Sequence, residues 1–353
     1  MKLSRRTVVA GGVAAAAGWM TNGCAASPAG RRPEQTGLLA EPPAPHAVVA
    51  ALDIGVTGRQ AVADALRGLA ERAAAAPAEV RTMVGLGAGV FERAGLTARR
   101  PRLLALMPSF PGDVLDPART HGDLLIQVEA PDADAAEKAL GATVGDLTVR
   151  WRMAGFSDVR PAGMGRPVAT NLFGFTEGHS NPPTTDVARV GSGQGEPLWA
   201  VGGSYQVVRI IRFATALWDR DPVERQEQMI GRRRDGRWLD GTAADADPLF
   251  AADPHGRRTP LDSHVRRANP RTGPPPPMLR RGFSFRGTDR AGRTEEGMLF
   301  IAFQRDIRDG FEAVQHRLAG ERLGRYVLTV GGGYFFVPPP GHDGWWGDGL
   351  FAA

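Results

Sequence analysis

The sequence is poor in cysteine, which forms the disulfides of small secreted domains, and in the paired cysteines and histidines that bind structural metals. Cys24 is the only cysteine among 353 residues, which excludes an internal disulfide and any metal site built on paired cysteines. The histidines show no HxxxH or HExxH spacing, so zinc sites of those types are not expected. The uncharged, small or apolar stretch over residues 7–20 is shorter than the ~20 residues that cross a bilayer. The core and the chemistry must therefore come from other residues.

Lysine is nearly absent as well, since only Lys2 and Lys138 occur and arginine carries most of the positive charge. The formal net charge is +5, and three of those charges belong to Lys2, Arg5 and Arg6. No basic stripe with interleaved aromatic residues is present, which argues against a nucleic-acid partner. With 42% hydrophobic residues and a length above that of one ordinary core, the chain is expected to form two domains.

The first residues have the pattern of an export signal. Ser4-Arg5-Arg6 precedes the apolar stretch, which is typical of a twin-arginine signal peptide over residues 1–26. An ordinary secretory signal is the alternative. Because the twin-arginine route exports folded proteins, the translocase is an expected partner and a cofactor acquired before export is expected too. We therefore expect an extracellular, cell-envelope or periplasmic protein.

Cys24 follows the apolar stretch closely enough to be a lipidated first residue of the mature chain. Thr21 stands where a leucine-like residue is usual, so cleavage near Ala26 is the alternative. Lipidation would anchor the protein to a membrane. Residues 27–45 are rich in proline, glycine and charge and are predicted to be a flexible linker.

Beyond residue 45 the apolar periodicity alternates between strand and helix. The order strand, helix, two strands, helix, strand is that of a ferredoxin-like unit, and it occurs twice. The sequence therefore predicts an α+β protein with antiparallel sheets, in an N-terminal domain over 46–195 and a C-terminal domain over 196–353. Strands are predicted at 46–54, 80–85, 123–130, 147–156, 205–213 and 298–303, with Asp132 and Asp221 as helix caps. Residues 235–277 are loop-like, and a loop of that length is usually functional.

His264 is the strongest single candidate for chemistry, in the segment Asp262-Ser263-His264-Val265-Arg266-Arg267-Ala268-Asn269-Pro270-Arg271. A proline run then leads to Met278-Leu279-Arg280-Arg281-Gly282. An earlier segment reads Asn171-Leu172-Phe173-Gly174-Phe175-Thr176-Glu177-Gly178-His179-Ser180-Asn181-Pro182. With these segments the chain resembles the dye-decolourising peroxidase family, including its exported branch that contains the deferrochelatases. Other family-like stretches occur in order: Phe110-Pro111-Gly112-Asp113, Gly122-Asp123-Leu124, Gly202-Gly203-Ser204-Tyr205, Ile230-Gly231-Arg232 and Gly331-Gly332-Gly333-Tyr334-Phe335-Phe336.

The resemblance implies a dimeric α/β-barrel-like fold with a haem pocket in its C-terminal half and one haem b per chain. It implies that His264 is the axial ligand of the haem iron, and axial ligand identity controls what haem iron does. A carboxylate that accepts the second N–H of this imidazole would make the ligand more electron-rich. Asp306, after the predicted strand, is the candidate; the alternative is an acid that only caps the next helix.

On the opposite side of the haem, the resemblance implies an acid that moves a proton and an arginine that stabilises charge. Glu177 occupies the acid position, where the family usually has aspartate, and Arg280 matches the arginine, with Arg281 as the alternative. Gly178 belongs to the turn of the acid. The resemblance also makes Arg271 a haem-propionate contact and His179 a residue that tunes the acid or contacts a propionate. A solvated loop residue is the alternative for His179.

The resemblance implies an enzyme that reduces hydrogen peroxide through a ferryl haem and oxidises dyes, phenols or other one-electron donors. The replacement of aspartate by glutamate would slow the reaction with peroxide if it displaces the carboxyl group by about 1 Å. Two other functions remain open: a haem-handling, deferrochelatase-like protein that releases iron, or a partner in metal-enzyme maturation, each with weak peroxidase activity. Exposed sheet faces would also allow a homodimer.

Overall fold

The computed structural model describes residue 39 and residues 42–161, 167–182, 184–289, 291–341 and 345–352. The predicted signal peptide over 1–26, with Cys24, and most of the predicted linker lie outside these residues. Within the described part of the chain, no helix is both long and apolar enough to cross a membrane.

The N-terminal half contains a four-stranded antiparallel sheet with helices on one face. Its strands are β1 (His46–Asp53), β2 (Arg81–Leu86), β3 (Leu124–Ala130) and β4 (Thr148–Phe156), in the order β2-β3-β1-β4. Helices α1 (Arg59–Ala74) and α3 (Ala133–Val144) connect them, with a short α2 (Ala88–Arg93) between. The sequence of elements and the strand order are those of a ferredoxin-like unit.

The C-terminal half repeats this arrangement. Its four main strands are β7 (Ser204–Phe213), β9 (Phe283–Thr288), β10 (Thr294–Gln304) and β11 (Val327–Val337), in the order β11-β7-β10-β9. The connections contain α4 (Thr215–Trp218), α5 (Val223–Ile230), α6 (His264–Ala268) and α7 (Ala313–Leu318), and α8 (Asp348–Phe351) follows β11. The short β8 (Leu279–Arg280) pairs with β10 beside β9. Because each half has this strand order, the predicted pair of ferredoxin-like units is confirmed.

The two sheets join edge to edge into a closed barrel. One residue pair, Phe336 with Leu86, connects β11 to β2, and one pair, Phe156 with Ser284, connects β4 to β9. The inward faces of both sheets bury one apolar cluster that includes Val49, Leu125, Ile210, Phe283, Ile301 and Phe335. The outward faces bury a second cluster against the helices. The barrel thus has a filled interior, and a ligand site must lie outside it.

Of the two helix caps predicted from the sequence, one is confirmed and one is wrong. Asp132 caps α3 as predicted, because its Oδ1 accepts the Ala135 N–H at 2.8 Å. Asp221 was wrongly predicted as the cap of the next helix: Pro222 occupies the N-cap position of α5, and no side chain caps it. The Asp221 carboxylate instead accepts the Tyr326 hydroxyl, so a tertiary contact has taken the group away from the helix end.

Three connections carry the predicted site residues. The hairpin of β5 (Asp158–Pro161) and β6 (Pro167–Thr170) leads into the turn that contains Glu177. The predicted loop over 235–277 is irregular except for a 3-10 turn and α6, which begins at His264. Arg280 ends β8. All three segments leave the barrel on its C-terminal half or at the junction that leads to it.

Candidate functional site

Glu177 is held by a tight turn that follows β6. Its backbone N–H donates to the Ala169 carbonyl at 2.9 Å, and Thr176 forms an isolated bridge with Thr170. The Asn171 side chain donates from Nδ2 to Glu177 Oε1 at 2.9 Å. Burial raises the pKa of the Glu177 carboxyl, although Asn171 and the positive charges of Arg280 and His264 act in the opposite direction. The carboxyl group is therefore a positioned acid with a pKa above its usual range.

Arg280 is fixed by the Asn-Pro element four residues after Glu177. Asn181 Oδ1 accepts the Arg280 backbone N–H at 3.1 Å and its Nε at 3.2 Å, and Asn181 Nδ2 donates to the Arg280 carbonyl at 2.8 Å. The buried Nη2 of Arg280 has no hydrogen-bond partner in the structure. Burial lowers the pKa of Arg280, and the Glu177 carboxylate counteracts this. The guanidinium thus retains an unused donor.

Arg281, the sequence alternative to Arg280, points to another part of the molecule. Its Nε lies 2.5 Å from Glu129 Oε1 and its Nη2 lies 2.6 Å from Glu129 Oε2, and both side chains are almost completely buried. Successive residues of an extended strand point to opposite faces, so only one of the two arginines can face Glu177. The structure selects Arg280.

His264 begins α6, and its Nδ1 lies 2.8 Å from Glu321 Oε2. Burial alone would lower the pKa of His264, but the Glu321 carboxylate reverses this and raises it. Because a carboxylate accepts hydrogen bonds, Nδ1 is assigned the proton, which leaves the lone pair on Nε2. The prediction that Asp306 provides this carboxylate was wrong. Asp306 Oδ1 instead accepts the backbone N–H of Arg308 at 2.8 Å and of Asp309 at 3.2 Å, which is the capping alternative.

These three groups share one internal cleft. Glu177, Arg280 and His264 are close enough to shift one another's pKa values, although they come from three separate connections. Each lies deep in the protein, yet 34% of the His264 side chain is open and Glu177 and Arg280 are only partly buried. Open surface on deeply placed side chains means that they line a cleft rather than a packed core. An imidazole, a carboxyl group and a guanidinium are therefore brought together there.

A further arginine, Arg232, lies near both Arg280 and Arg271. Burial, together with the charges of Arg280 and Arg271, lowers the pKa of Arg232 to about 10. The Arg232 guanidinium lies over the Trp238 ring, 3.6 Å from its centroid, and donates to the Gly236 and Ala244 carbonyls. Arg271 has the left-handed φ of +60° and forms an ion pair with the exposed Asp247 at 3.0 Å. Three neighbouring guanidinium groups favour an anionic ligand, because the mutual repulsion needs a compensating charge.

The remaining predicted residues are close by, with limited contacts. The Nε2 of His179 lies 2.8 Å from the Thr176 hydroxyl, and the ring packs on Gly236, where a Cβ would lie only 2.2 Å from Nε2. Gly178 has a φ of +84°, which favours glycine, so its predicted place in the turn has a backbone reason.

Sequence reasoning missed three of the residues that position the site. Asn171 and Asn181 stood in the quoted segment without a role, although an asparagine at a turn commonly binds nearby backbone groups. Glu321 gave no local signal, because it reaches His264 across 57 residues of chain. The described residues contain no group of three or more His, Cys, Asp or Glu side chains that could hold a bare metal ion. A single imidazole is one of the axial ligands that proteins use to hold haem iron.

Comparison with known families gives two matches that together cover most of the chain. The profile described as "Dyp-type peroxidase, N-terminal" matches residues 35–157. The profile described as "Dyp-type peroxidase, C-terminal" matches residues 168–342, which include Glu177, His264 and Arg280. Curated relatives named deferrochelatase include those of Escherichia coli (strain K12), 40% identical over 280 residues, and of Yersinia pestis, 40% identical over 279 residues. The matches cover 75% and 74% of this chain but only 66% and 64% of the relatives, so the chain spans slightly less than two thirds of their length.

Solved structures of similar proteins cover nearly the whole described fold. A DyP-type peroxidase from Cellulomonas bogoriensis superposes with a TM-score of 0.79 at 32% identity, and one from Streptomyces coelicolor with 0.78 at 31% identity. The oxyferrous/water mixed complex of DtpA from Streptomyces lividans gives 0.77 at 32% identity. Each comparison covers 88% of this chain and 94% of the other chain.

Proposed function

Because the chain belongs to the Dyp-type peroxidase family, we propose that it is a haem-dependent peroxidase in which His264 binds the iron of one haem b and Glu177 and Arg280 act on hydrogen peroxide. The observation that carries this proposal is the meeting of an imidazole, a carboxyl group and a guanidinium from three separate connections, with some open surface on each. The chemistry follows from these side chains and their partners.

The side chains of the cleft fit a haem. His264 can offer Nε2 as a nitrogen ligand, because Glu321 holds the ring through Nδ1. The buried Nη2 of Arg280 lacks a partner that a bound ligand would provide. Arg232 and Arg271 add positive charge beside Arg280, which suits the propionates of a haem. A bound anion would satisfy this donor, whose burial without a partner costs about 1–3 kcal/mol.

When bound, haem b supplies the redox-active iron at which the O–O bond of peroxide is cleaved. Glu177 in its carboxylate form takes the proton from one peroxide oxygen and returns it to the other, so that water can leave. Arg280 stabilises the negative charge that develops during this transfer, with a donor already in place. Glu321 orients the His264 ring and keeps it electron-rich through the Nδ1 hydrogen bond.

The test is rapid mixing of the haem-loaded protein with hydrogen peroxide, followed by an anthraquinone dye at acidic pH. We expect a spectral change of the haem with peroxide and bleaching of the dye in the wild type. Glu177→Ala should retain haem but lose about 100- to 10,000-fold in the peroxide rate, as for removal of an acid–base group. Wild-type rates in Glu177→Ala would remove Glu177 from the mechanism.

A second function, release of iron from haem, is favoured by the name deferrochelatase of the curated relatives. It would use the same cleft, with the peroxidase activity weak because Glu177 replaces the usual aspartate. Incubation with haem and a reductant, followed by assay of free porphyrin and of iron, distinguishes the two. Intact porphyrin without iron indicates release, whereas unchanged haem together with dye bleaching indicates a peroxidase.

The proposal includes export through the twin-arginine translocase, which Ser4-Arg5-Arg6 and the apolar stretch after it support. Replacement of both arginines by lysine should retain the protein in the cytoplasm, as fractionation of cells would reveal. A mass measurement of the exported protein distinguishes a lipidated Cys24 from cleavage near Ala26. Sedimentation of the haem-loaded protein tests the proposed homodimer.

A further inference from the structure

We infer that Asn171 is a positioning residue that sets both the orientation and the protonation of Glu177. The inference rests on the proposed function only for its consequence in peroxide chemistry. Its structural basis is a hydrogen-bond chain from the turn backbone through the Asn171 amide to the Glu177 carboxylate. Both ends of that chain belong to one short segment.

The turn fixes the Asn171 amide in one orientation. Its Oδ1 accepts the backbone N–H of Phe173 at 3.0 Å and of Phe175 at 3.1 Å. Backbone hydrogen bonds of 2.9 Å from Asn171 N–H to the Phe175 carbonyl and from Gly174 N–H to the Asn171 carbonyl close the same turn. A flip of the amide would place its NH2 group against two backbone donors. The Nδ2 donor must therefore face Glu177, and the assignment of nitrogen and oxygen follows from the network.

The Asn171 donor restricts the conformation of the Glu177 side chain. Glu177 Oε1 accepts from Asn171 Nδ2 at 2.9 Å, and this is the side-chain hydrogen bond that the structure assigns to the carboxylate. Glutamate has one more rotatable bond than aspartate, so a donor on one oxygen restricts a group that would otherwise sample several rotamers. With Oε1 held by Asn171, the second oxygen is the one available for a ligand in the cleft.

The charged groups that face Glu177 come from several elements. Arg280 on β8 and His264 on α6 both favour the carboxylate, as does the neutral Asn171 donor, whereas burial disfavours it. Arg232 is near enough to Arg280 and to Arg271 for their charges to lower its pKa, so all three contribute to the positive charge of this region. Among these groups, Asn171 alone can be changed without altering a formal charge. It is therefore the residue through which hydrogen bonding can be separated from charge.

The test compares Asn171→Ser with the wild type. Serine can still accept a backbone N–H of the turn, but its hydroxyl is too short to reach Glu177. We expect the pKa of Glu177 to rise by about 1–2 units, because a hydrogen bond to a charged group contributes about that much. The primary readout is infrared titration of the carboxyl band in the haem-free protein, with Glu177→Gln identifying the band. Gln60→Ser is the matched control, since it removes an exposed amide–carboxylate bond of 2.9 Å to Asp64.

A second readout is the pH profile of the peroxide reaction of the haem-loaded protein. Glu177 must be ionised to take a proton, so the rate rises with pH through its pKa. The acidic limb should move to higher pH by the same amount as the infrared pKa in Asn171→Ser and remain in place in Gln60→Ser. Absence of any peroxide reaction in the wild type would overturn the proposed function, while the infrared titration would still decide the role of Asn171.

A second variant keeps the test decisive if Asn171→Ser fails to fold. Asn171→Asp preserves the acceptor for both backbone N–H groups and replaces the donor by a like charge, so its upper pKa should rise further than in Asn171→Ser. A rise of half a unit or more in the variant that folds, as judged by circular dichroism, supports the inference. A smaller change in every folded variant overturns it, because the hydrogen bond would then be structural only.

Discussion

Arg280 and Arg281 are neighbours in sequence, yet they lie in two different regions. One arginine is paired with a carboxylate and the other with a neutral asparagine. Arg281 enters the barrel interior and forms two short hydrogen bonds with Glu129, whose oxygens also accept from Gln127 at 2.8 Å and from the Ala44 N–H at 3.0 Å. Arg280 enters the cleft, is held by a neutral asparagine, and leaves Nη2 without a partner. The Arg281 guanidinium is paired with a carboxylate, whereas the Arg280 guanidinium is held in place by Asn181 with one donor left unpaired.

The difference separates an ion pair that serves the fold from a guanidinium that is placed to serve a ligand. A buried charge whose donors and acceptors are all paired has no group free to bind a ligand. Its removal is therefore expected to affect stability. A guanidinium with an unused donor beside a carboxyl of raised pKa is expected to affect chemistry. Each prediction below changes one region and measures both properties.

The largest effect should follow from Arg280→Ala. Loss of a preorganised donor for the developing charge should lower the peroxide rate of the haem-loaded protein by about 100- to 1,000-fold, with little change in the unfolding midpoint. Stopped-flow mixing and thermal melting measure the two properties. A rate within threefold of the wild type would place Arg280 among the structural residues.

The opposite result is expected for Glu129→Ala in the barrel. It leaves Arg281 buried without its counter-charge, which should reduce the free energy of unfolding by about 3–5 kcal/mol. Denaturant unfolding is the measurement, and Glu177→Ala is the comparison, with an expected loss below about 1 kcal/mol. Equal losses in the two variants would contradict the view that Glu129 serves stability and Glu177 serves chemistry.

A smaller effect on haem affinity or activity is expected from the contact between Glu321 and Nδ1 of His264. Glu321→Gln keeps a hydrogen-bonding side chain but removes the negative charge at Nδ1, so haem affinity or activity should fall by roughly 10- to 100-fold. The iron reduction potential should rise, because a less electron-rich imidazole stabilises ferric iron less well. Asp306→Asn is the control, since Asp306 caps a local turn. A larger effect from Asp306→Asn than from Glu321→Gln would favour Asp306 as the carboxylate partner of His264.

The smallest effect concerns the stability of the haem-free protein. Because burial raises the pKa of Glu177 above its ordinary value of 4.5, the folded state binds more protons than the unfolded state between those two values. The free energy of unfolding therefore has a component that is present below pH 4.5 and is lost as the pH rises through the folded pKa. A difference of one pH unit between the folded and unfolded pKa values corresponds to about 1.4 kcal/mol. Glu177→Gln should abolish this component, and an unchanged pH slope would contradict the raised pKa.

The sequence was most informative where function depends on a continuous segment. His264, Glu177 and Arg280 each lie in a stretch whose order of residues could be read directly, and the two ferredoxin-like units followed from apolar periodicity. The boundaries of the predicted strands differ by at most one residue, except that β10 begins four residues earlier than predicted. Periodicity weakens there, because polar residues occupy the start of that strand.

The sequence was least informative where two distant residues must meet. Asp306 was favoured because it follows a strand, but its Oδ1 is used by two nearby backbone N–H groups. Glu321 becomes the partner of His264 only because α7 packs beside α6, with Arg267 donating to the Arg317 carbonyl at 2.8 Å. The choice between Arg280 and Arg281 depended on strand register, where a shift of one residue exchanges the two faces.

The central claim is that the His264 imidazole binds haem iron opposite Glu177 and Arg280. The most direct measurement is a titration of the purified haem-free protein with haem, followed in the Soret region, for the wild type and for His264→Ala. The account predicts a one-to-one complex with the spectrum of histidine-ligated iron in the wild type and loss of that spectrum in His264→Ala. A wild-type protein that stays colourless, or an unchanged spectrum in His264→Ala, would contradict it.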